Sequence, residues 1–375
     1  MSERYSRRKL GAFSDIWLAD LITAGFLPGA DEDNINPASL DLSLSEEIYQ
    51  VYEIFQPKPG ETVRGLLEVV KHHRHDLSRP LKRNEIYLAR LNEKSDLPAG
   101  IYGYLNPKSS TGRNDVHVRV LTDKVSRYDT LPAGIGGVEL WIIINPRSFN
   151  VRFSSGQTLS QLRLFNLDTR FNETELQVNM AKESLLWSRA GQPFRYQDLS
   201  ITDRDGSLIL TLDLESDIIG YECLDGVEGV IDFSRVGGSR VEDFWRPITK
   251  DDMVDGRIRL KQGRFYLLST AEAVRVPDRL ACEMVPMDER SGEFRSHYAG
   301  FIDPGWGQGE DGEGRGRPLT LEIRPFEDLI IRPGQPIAKV KFEYMADIPR
   351  FGYDALTGSN YLTQTRVGLA KQFKA

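Results

Sequence analysis

The chain has 375 residues, 40% of them hydrophobic, and a formal net charge of −7. This length and hydrophobic content suit two domains that each bury a core, and they exclude a disordered or fibrous protein. The acidic charge argues against a general nucleic-acid binder, whereas a local group of cations can still hold a phosphate.

The sequence also indicates the compartment. No apolar run is long enough to cross a membrane, and the charged N-terminus is not followed by the apolar stretch of a secretory signal. Cys223 and Cys282 are too few for a disulfide framework and lack CxxC spacing, which predicts buried free thiols. We therefore expect a cytoplasmic protein that binds neither membranes nor nucleic acid.

The predicted elements are one early helix followed mainly by strands. Ser14 can cap the helix, an apolar stripe from Trp17 to Ile22 gives its buried face, and Gly25 can end it. The 33 glycines and 19 prolines separate short alternating apolar segments, which is typical of strands. The alternation is clearest in "LTLEIR" at 319–324 and "PIAKVKFEY" at 336–344.

An internal repeat relates the two halves of the sequence. Tyr87 in "IYLARLNEKSDLP" corresponds to Tyr266 in "FYLLSTAEAVRVP", and Gly156 in "GQTLSQLRLF" corresponds to Gly334 in "GQPIAKVKFEY". The separations are 179 and 178 residues, which is the scale of a duplicated domain rather than a solenoid repeat. A further match, of "SLDLSL" near residue 41 to "VIDFSR" near residue 232, requires insertions. The repeat predicts two tandem domains, 1–190 and 191–375.

The segment "NPKSSTGR" at 106–113 collects groups that can bind an anion. Lys108, Ser109, Ser110 and Arg113 supply two cations and two hydroxyls, and a glycine permits close approach of the backbone. A serine-rich polar turn with solvated cations explains the same pattern. The repeat aligns this segment with "VPMDERSG", in which two carboxylates replace the serines and would repel a phosphate. We therefore expect an anion site in the first half only.

The second half carries a different feature, "GFIDPGWGQGEDGEGRGRPLTLEIRP" at 300–325. A turn and a Gly-rich loop precede a strand that bears Glu322 on its polar face, where a carboxylate is ordinarily exposed. In the first half, Ile142 or Ile143 takes the position of Glu322, and Glu139 does not substitute for it. One half thus keeps the anion cluster and the other the carboxylate, which suggests composite sites built across domains and fewer active sites than domains.

Five segments together resemble a known family. "NPASLDLSL", "PKSSTGR", "IDPGW", "LTLE" and the tail "YDALTGSNYLTQTRVG" are similar to the ordered motifs of dCTP deaminases, and the doubled length resembles their tandem-domain bacterial members. The resemblance implies a mainly β fold, with two tandem dUTPase-like β-barrel (β-clip) domains and a few short helices. It also implies a homo-oligomer with sites shared between domains, which deaminates dCTP in pyrimidine deoxynucleotide metabolism.

The resemblance assigns roles to residues. Glu322 matches the catalytic glutamate, and Ser109 and Arg113 match groups that hold phosphates and support the reacting water. One carboxylate can accept the proton of water, pass it to the ring nitrogen N3 and then assist the departing amine. The substrate-binding positions are Lys108, Ser110, Ala299, Asp303, Trp306, Tyr353, Asn360, Tyr361 and Gln364. Asn360 departs from the family, which often has a lysine there.

The expected metal chemistry is limited to the substrate. The HxE and PCxxC signature of zinc deaminases is absent, so the reaction is expected to need no zinc. His72, His73 and His75 have no cysteine or carboxylate at ligand spacing, and they are interpreted as part of a solvated basic loop. Mg²⁺ would arrive with the triphosphate, held by phosphate oxygens and water.

Two other functions fit the same motifs. The phosphate motif and the Asp303 turn also serve dUTPase-like pyrophosphatases, so a pyrophosphatase or a bifunctional deaminase–dUTPase is one alternative. That alternative predicts a Gly-rich C-terminal arm, which "SNYLTQTRVGLAKQF" does not resemble. A non-catalytic nucleotide sensor is the other alternative. dUTP and dTTP are candidate further ligands in each case.

Overall fold

The computed structural model describes residues 10–287, the backbone of 294–295, and residues 300–356, 361 and 364–374. Its contacts divide the chain into two compact units. The first-repeat unit consists of Ala12–Leu167, Asp225–Phe244 and the residues from Ala370 onward. The second-repeat unit consists of the described residues of three segments: Leu10 and Gly11, Asp168–Leu224, and Trp245–Leu369. The boundary between residues 190 and 191 stays a prediction.

Short helices interrupt a mainly β chain. Among the described residues the α-helices are α1 (Asp15–Thr23), α2 (Val63–Leu67), α3 (Ser109–Gly112) and α4 (Glu173–Glu183). The 3-10 turns are Glu32–Asn34, Tyr196–Asp198, Val241–Asp243, Lys250–Asp252 and Tyr353–Ala355. The hydroxyl of Ser14 accepts from the backbone N–H of Ile16 at 3.2 Å and caps α1, and Gly25 follows the helix with a φ of +79°. The early helix is therefore confirmed.

The first-repeat unit is built on a nine-stranded sheet in the order β6-β8-β4-β2-β10-β5-β7, with β1 and β3 added to β2. Its first five strands are β1 (Ile35–Asn36), β2 (Ser39–Val51), β3 (His72–Arg74), β4 (Ile86–Ser95) and β5 (Tyr102–Pro107). The next five are β6 (Val116–Thr122), β7 (Thr130–Leu131), β8 (Val138–Pro146), β9 (Asn150–Arg152) and β10 (Thr158–Phe165). The terminal strands β6 and β7 lie close together, as the hydrogen bond from the hydroxyl of Thr122 to the carbonyl of Thr130 at 3.0 Å shows. The sheet is thus nearly closed into a barrel.

The second-repeat unit has a corresponding set of strands, but they are divided among separate sheets. Its strands before the Gly-rich loop are β11 (Leu186–Trp187), β12 (Ser207–Thr211), β13 (Ile218–Cys223), β15 (Trp245–Thr249), β16 (Ile258–Leu260), β17 (Tyr266–Val274), β18 (Leu280–Val285), β19 (Phe294–Arg295) and β20 (Phe301–Ile302). After the loop come β21 (Arg317–Pro325), β22 (Leu329–Ile331) and β23 (Pro336–Tyr344). One sheet has the order β15-β13-β17-β21-β19 and another the order β12-β23-β18-β20. The predicted mainly β fold is confirmed.

Strand pairing identifies the true counterpart of "SLDLSL". In β2, Asp41 pairs with Gln161 of β10, and in β12, Ile209 pairs with Lys339 of β23. Since Gln161 and Lys339 correspond at the 178-residue separation, the counterpart is "SLILTL" at 207–212. The expected match to "VIDFSR" is wrong: Val230–Asp232 forms β14, which pairs in parallel with β9 inside the first-repeat unit.

The interior agrees with the sequence pattern in other respects. Cys223 and Cys282 are both buried thiols that form no disulfide, as predicted. The alternating segment at 336–344 forms β23, in which Ile337, Val340 and Phe342 are fully buried. None of the helices in the described part of the chain has the length and apolar character needed to cross a membrane.

A glutamate recurs where the strand ladder is interrupted in each repeat, and it is buried in the first repeat and partly buried in the second. The carboxylate of Glu93 in β4 accepts from the backbone N–H of Ser43 at 3.0 and 3.1 Å and from its hydroxyl at 2.7 Å. In β17, Glu272 accepts from the N–H and the hydroxyl of Thr211 at 2.8 and 2.7 Å. Burial raises the pKa of Glu93 to about 7, although the hydrogen bonds from Ser43 act in the opposite direction.

The raised pKa of Glu93 gives a pH-dependent stability. The folded pKa lies above the ordinary value of 4.5, so the folded state binds more protons between pH 4.5 and 7. The free energy of unfolding should therefore fall as pH rises through this window, by roughly 3 kcal/mol for a shift of this size. Glu93→Gln cannot ionise, and its stability should depend less on pH. Urea unfolding at several pH values checks this, and parallel curves for parent and variant would contradict it.

Candidate active site

The segment "PKSSTGR" makes a tight turn at the end of β5. The backbone N–H of Lys108 donates to the carbonyl of Leu159 at 2.9 Å, and α3 begins at the next residue, Ser109. The N–H groups of Thr111 and Gly112 both donate back to the carbonyl of Lys108, at 2.9 and 3.0 Å. The hydroxyl of Thr111 also donates to the carbonyl of Leu159, so the turn is fixed to strand β10. The segment is thus a folded part of the barrel rather than a loose polar turn.

Its side chains differ in exposure. Ser110 and Arg113 are buried, and Ser109 is half-buried. The ammonium of Lys108 forms an ion pair with Asp41 and donates to the hydroxyl of Thr158 at 2.9 Å. Burial raises the pKa of the Asp41 carboxyl, and Lys108 opposes this effect.

The last residues of the chain belong to the same unit and were missed by sequence reasoning. The side-chain amide of Asn114 donates to Gln372 at 2.9 Å and to the carbonyl of Ser110 at 2.8 Å, and Gln372 is fully buried. Burial and the nearby charge of Lys108 lower the pKa of the Lys371 ammonium. Only the high proportion of polar residues in "AKQFK" could have drawn attention to this segment, because its partners beside the anion segment are more than 250 residues away.

The Asp303 turn lies in the second-repeat unit and packs against the tail. The N–H of Trp306 donates to the carbonyl of Asp303 at 3.2 Å, and the N–H of Tyr353 donates to the carbonyl of Pro304 at 2.7 Å. The ring of Tyr353 lies 5.1 Å from the ring of Trp306, which is buried. Gly305 has a φ of +84°, and a Cβ atom there would lie 2.6 Å from the Cα of Gly352. Glycine is therefore required where the turn meets the tail.

Glu322 lies in the middle of β21, and its position corrects an expectation. It is 2% exposed, so it is not the solvated strand carboxylate that the alternation indicated. All five residues from Leu319 to Ile323 are buried, because both faces of the strand are covered. A carboxylate is almost never buried in this way without a partner or a chemical role.

Cross-strand pairing shows what occupies the position of Glu322 in the other repeat. Glu322 pairs with Leu267 of β17, which pairs with Tyr221 of β13. The matching row of the first-repeat unit consists of Ile143, Leu88 and Tyr49. Ile143, rather than Ile142, is therefore the counterpart of Glu322. It belongs to a hydrophobic cluster that includes Val63 and Leu67 of α2.

In the second-repeat unit, the C-terminal tail lies along the strand that bears Glu322. The amide of Gln364 donates to the carbonyl of Pro318 at 2.9 Å, and the N–H of Gly368 donates to the hydroxyl of Thr320 at 3.1 Å. Thr320 and Glu322 are two residues apart and share one face of the sheet. Tyr221 pairs with Leu267, the cross-strand partner of Glu322. Burial raises the pKa of Tyr221, and the positive charge of Arg366 lowers it. The tail therefore covers the face of the sheet to which Glu322 belongs.

The structure thus groups most of the predicted site residues in two sets. Lys108, Ser109, Ser110 and Arg113 form one set in the first-repeat unit. The second-repeat unit holds Asp303, Trp306, Glu322, Tyr353, Tyr361 and Gln364. Tyr361 is partly buried against the hydrophobic core. Ala299 and Asn360 lie outside the described residues.

The histidine cluster takes no part in either set. His72 and His73 lie in the short exposed strand β3, so the expected basic loop is wrong in its secondary structure. The ring of His72 contacts the ring of Tyr49 at 5.3 Å. Within the described residues, no three His, Cys, Asp or Glu side chains are grouped as a metal site would need.

Comparisons with known proteins identify the class. Residues 9–168 match the family model described as the 2'-deoxycytidine 5'-triphosphate deaminase N-terminal domain, and residues 173–373 match that of the C-terminal domain. A crystal structure of 2'-deoxycytidine 5'-triphosphate deaminase from Agrobacterium tumefaciens is 33% identical, with a TM-score of 0.81. The alignment covers 92% of this chain and 100% of that one. An oxalate decarboxylase structure aligns at 12% identity over 84% of this chain and 82% of its own, with a TM-score of 0.11.

No curated protein matches the chain in sequence. The duplicated β fold, the serine-rich anion segment and the buried strand glutamate define a nucleotide-converting enzyme of the β-barrel class. With both family models matched in order, the chain belongs to the 2'-deoxycytidine 5'-triphosphate (dCTP) deaminase family.

Gly305→Ala should separate the turn from the tail. The variant combines a strained positive φ with a Cβ atom 2.6 Å from the Gly352 backbone. Gly334 has a φ of +73° with nothing within 4 Å of its Cβ position, so Gly334→Ala is a matched control for the φ cost alone. We expect the control to lose about 1 kcal/mol of stability and Gly305→Ala to lose roughly 1–3 kcal/mol more. Equal losses in thermal unfolding, with unchanged hydrogen exchange at the Tyr353 amide, would contradict the packing argument.

Proposed function

We propose that this chain hydrolyses dCTP to dUTP and ammonia without zinc, and that Glu322 is its general acid–base. The supporting observation is the position of this carboxylate. The other repeat fills the same place in the same sheet with Ile143, so the fold itself does not require a charged group there. Burying a carboxylate costs free energy, and the other repeat avoids that cost at the same position. Its presence is best explained by chemistry.

The reaction needs one group that handles protons in sequence. Glu322 accepts a proton from water as the oxygen attacks C4 of the cytosine, and it delivers a proton to N3. The carboxylate then takes the proton of the new C4 hydroxyl and passes it to the amine, so that ammonia leaves and the C4 carbonyl of dUTP forms. A tail that covers the face of β21 excludes bulk water, which strengthens electrostatic interactions around the carboxylate.

The first set of residues supplies the anion contacts in this proposal. Ser109 and Arg113 orient the water and support the developing negative charge, and Lys108 and Ser110 contact phosphate oxygens. Charge-assisted hydrogen bonds from Arg and hydroxyl groups suit a triphosphate. Mg²⁺ enters as part of the substrate, bound by phosphate oxygens and water. We propose Asp303, Trp306, Tyr353, Tyr361 and Gln364 as contacts of the nucleoside, with a homo-oligomer as the working assembly.

Glu322→Gln tests the central role. The amide cannot accept a proton, so ammonia release from dCTP should fall at least about 10²-fold while the dissociation constant for dCTP stays within about threefold. Glu272→Gln is the matched control, because Glu272 is a partly buried glutamate on the neighbouring strand β17. Ammonia, dUTP, dUMP and pyrophosphate are measured with Mg²⁺ present, before and after treatment with a zinc chelator.

The outcomes of this experiment separate the alternatives. Ammonia release by the parent that survives chelation supports a zinc-free deaminase. Pyrophosphate without ammonia would indicate a dUTPase-like pyrophosphatase, and nucleotide binding without either product would indicate a sensor. An unchanged rate for Glu322→Gln would refute its assigned role.

We propose one nucleotide site per chain. In the first repeat, a polar row of Asp41, Gln161 and Asn106 lies across three strands beside the anion segment. The matching row of the second repeat is Ile209, Lys339 and Val285. Its one cation is neutralised internally, because the Lys339 ammonium lies 2.7 and 2.9 Å from the carboxylates of Asp203 and Asp205.

Titration calorimetry with dCTP checks the number of sites. Glu322→Gln is used as the background so that no substrate is consumed, and one dCTP should bind per chain. Lys339→Met in the same background is expected to leave this number at one. A stoichiometry of two would contradict the proposal and show that the second repeat has kept an anion site.

A further inference from the structure

Asp354 connects three segments of the second-repeat unit. It lies in the 3-10 turn Tyr353–Ala355 of the tail and is 7% exposed. Its carboxylate accepts from the backbone N–H of Gly309 at 2.8 Å and, more weakly, from that of Gly307 at 3.4 Å. It also lies 2.7 Å from the guanidinium of Arg317, the first residue of β21. A single buried carboxylate thus links the tail, the Gly-rich loop and the strand of Glu322.

The Gly-rich loop between the Asp303 turn and β21 depends on such links. The loop is closed by backbone bonds from Gly316 to Gly307 at 2.9 Å and from Gly314 to Gln308 at 2.6 Å. Glycine-rich chain loses much conformational entropy when it is ordered, so it needs fixed anchors. In the described residues, Asp354 is the side chain that anchors its first turn from the tail.

The same carboxylate orients an aromatic side chain of the proposed site. Arg317, held by Asp354, places its guanidinium 5.7 Å from the centre of the Trp306 ring. Tyr353, next to Asp354 in sequence, places its ring 5.1 Å from the same ring. Trp306 is therefore contacted by two groups whose positions both depend on the turn that contains Asp354.

We propose that Asp354 is a positioning residue that couples docking of the tail to the shape of the nucleoside pocket. When the tail is docked, the carboxylate holds Gly307, Gly309 and Arg317, and these fix the turn that bears Asp303 and Trp306. When the tail leaves, the loop and the ring lose their shared anchor. This inference rests on the proposed function for its kinetic consequence, but the coupling itself concerns the protein without nucleotide.

The kinetic test compares Asp354→Asn with a matched control. The amide keeps the size of the side chain but loses its charge, so the KM for dCTP should rise about tenfold or more while kcat changes by less than about threefold. Arg317→Met removes the ion pair from the other side and should change KM in the same direction by a smaller factor. Asp198→Asn breaks an exposed aspartate–arginine pair of the same unit and should leave both constants unchanged. Equal falls in kcat for all three variants would overturn the proposal.

Limited proteolysis tests the coupling without any reaction. Arg315 is exposed within the loop, and trypsin cleavage after it is followed by mass spectrometry in the absence of nucleotide. We expect Asp354→Asn to be cleaved at least about fivefold faster than the parent and the Asp198→Asn control at the parental rate, with equal melting temperatures showing that the variants are folded. Unchanged cleavage in Asp354→Asn would overturn the proposed coupling. If cleavage accelerates but the parent releases no ammonia from dCTP, the coupling stands and the proposed function fails.

The fluorescence of Trp306 gives a third readout. The difference between parent and Trp306→Phe isolates the emission of this ring among the five tryptophans. Loss of the Arg317 and Tyr353 contacts in Asp354→Asn should shift this difference spectrum to longer wavelength. An unshifted spectrum would show that the ring keeps its place without the carboxylate.

Discussion

The burial of Glu322 is the constraint on which the rest of the second repeat depends. A carboxylate in the middle of a covered strand carries a desolvation cost that its neighbours Leu321 and Ile323 do not reduce. The cover on the face of Thr320 is a chain segment outside any helix or strand. Gln364 and Gly368 of the tail bind Pro318 and Thr320 through single hydrogen bonds. A cover held in this way can shield the carboxylate and still be released.

The two repeats solve the same packing problem in different ways. In the first, helix α2 places Val63 and Leu67 over the row that contains Ile143, and the result is an ordinary hydrophobic cluster. In the second, that position holds Glu322 and the tail replaces the helix. An apolar cover excludes a ligand permanently, whereas a tail with polar contacts does not. Divergence after duplication thus left one repeat with a closed core where the other has its candidate reaction centre.

Much of this arrangement could be predicted from the sequence. The alternation in 319–324 and 336–344 identified β21 and β23, and the family motifs identified the class. The repeat separation of 179 residues is also found in the structure, because the pair of Leu88 with Ile143 corresponds to the pair of Leu267 with Glu322. The burial of Glu322 could not be predicted, because alternation indicates only the face of the strand that packs on the core. The other face of the strand is covered by the tail, which is distant in the sequence. The match to "VIDFSR" failed for a similar reason: the similarity of six residues cannot show which strand they pair with.

The contacts that sequence reasoning missed all depend on pairs that are distant in the chain. Asn114 and Gln372 are 258 residues apart, and their hydrogen bond places the last residues beside the anion segment of the first-repeat unit. The chain passes from one unit to the other after residue 369, so the tail contributes Gln364 and Gly368 to one unit and the residues that follow it contribute Gln372 to the other. Each set of candidate residues therefore includes or contacts part of the C-terminal segment. A change at Gly368 acts on the carboxylate strand, and a change at Gln372 acts on the anion segment, although neither residue is proposed to meet the substrate.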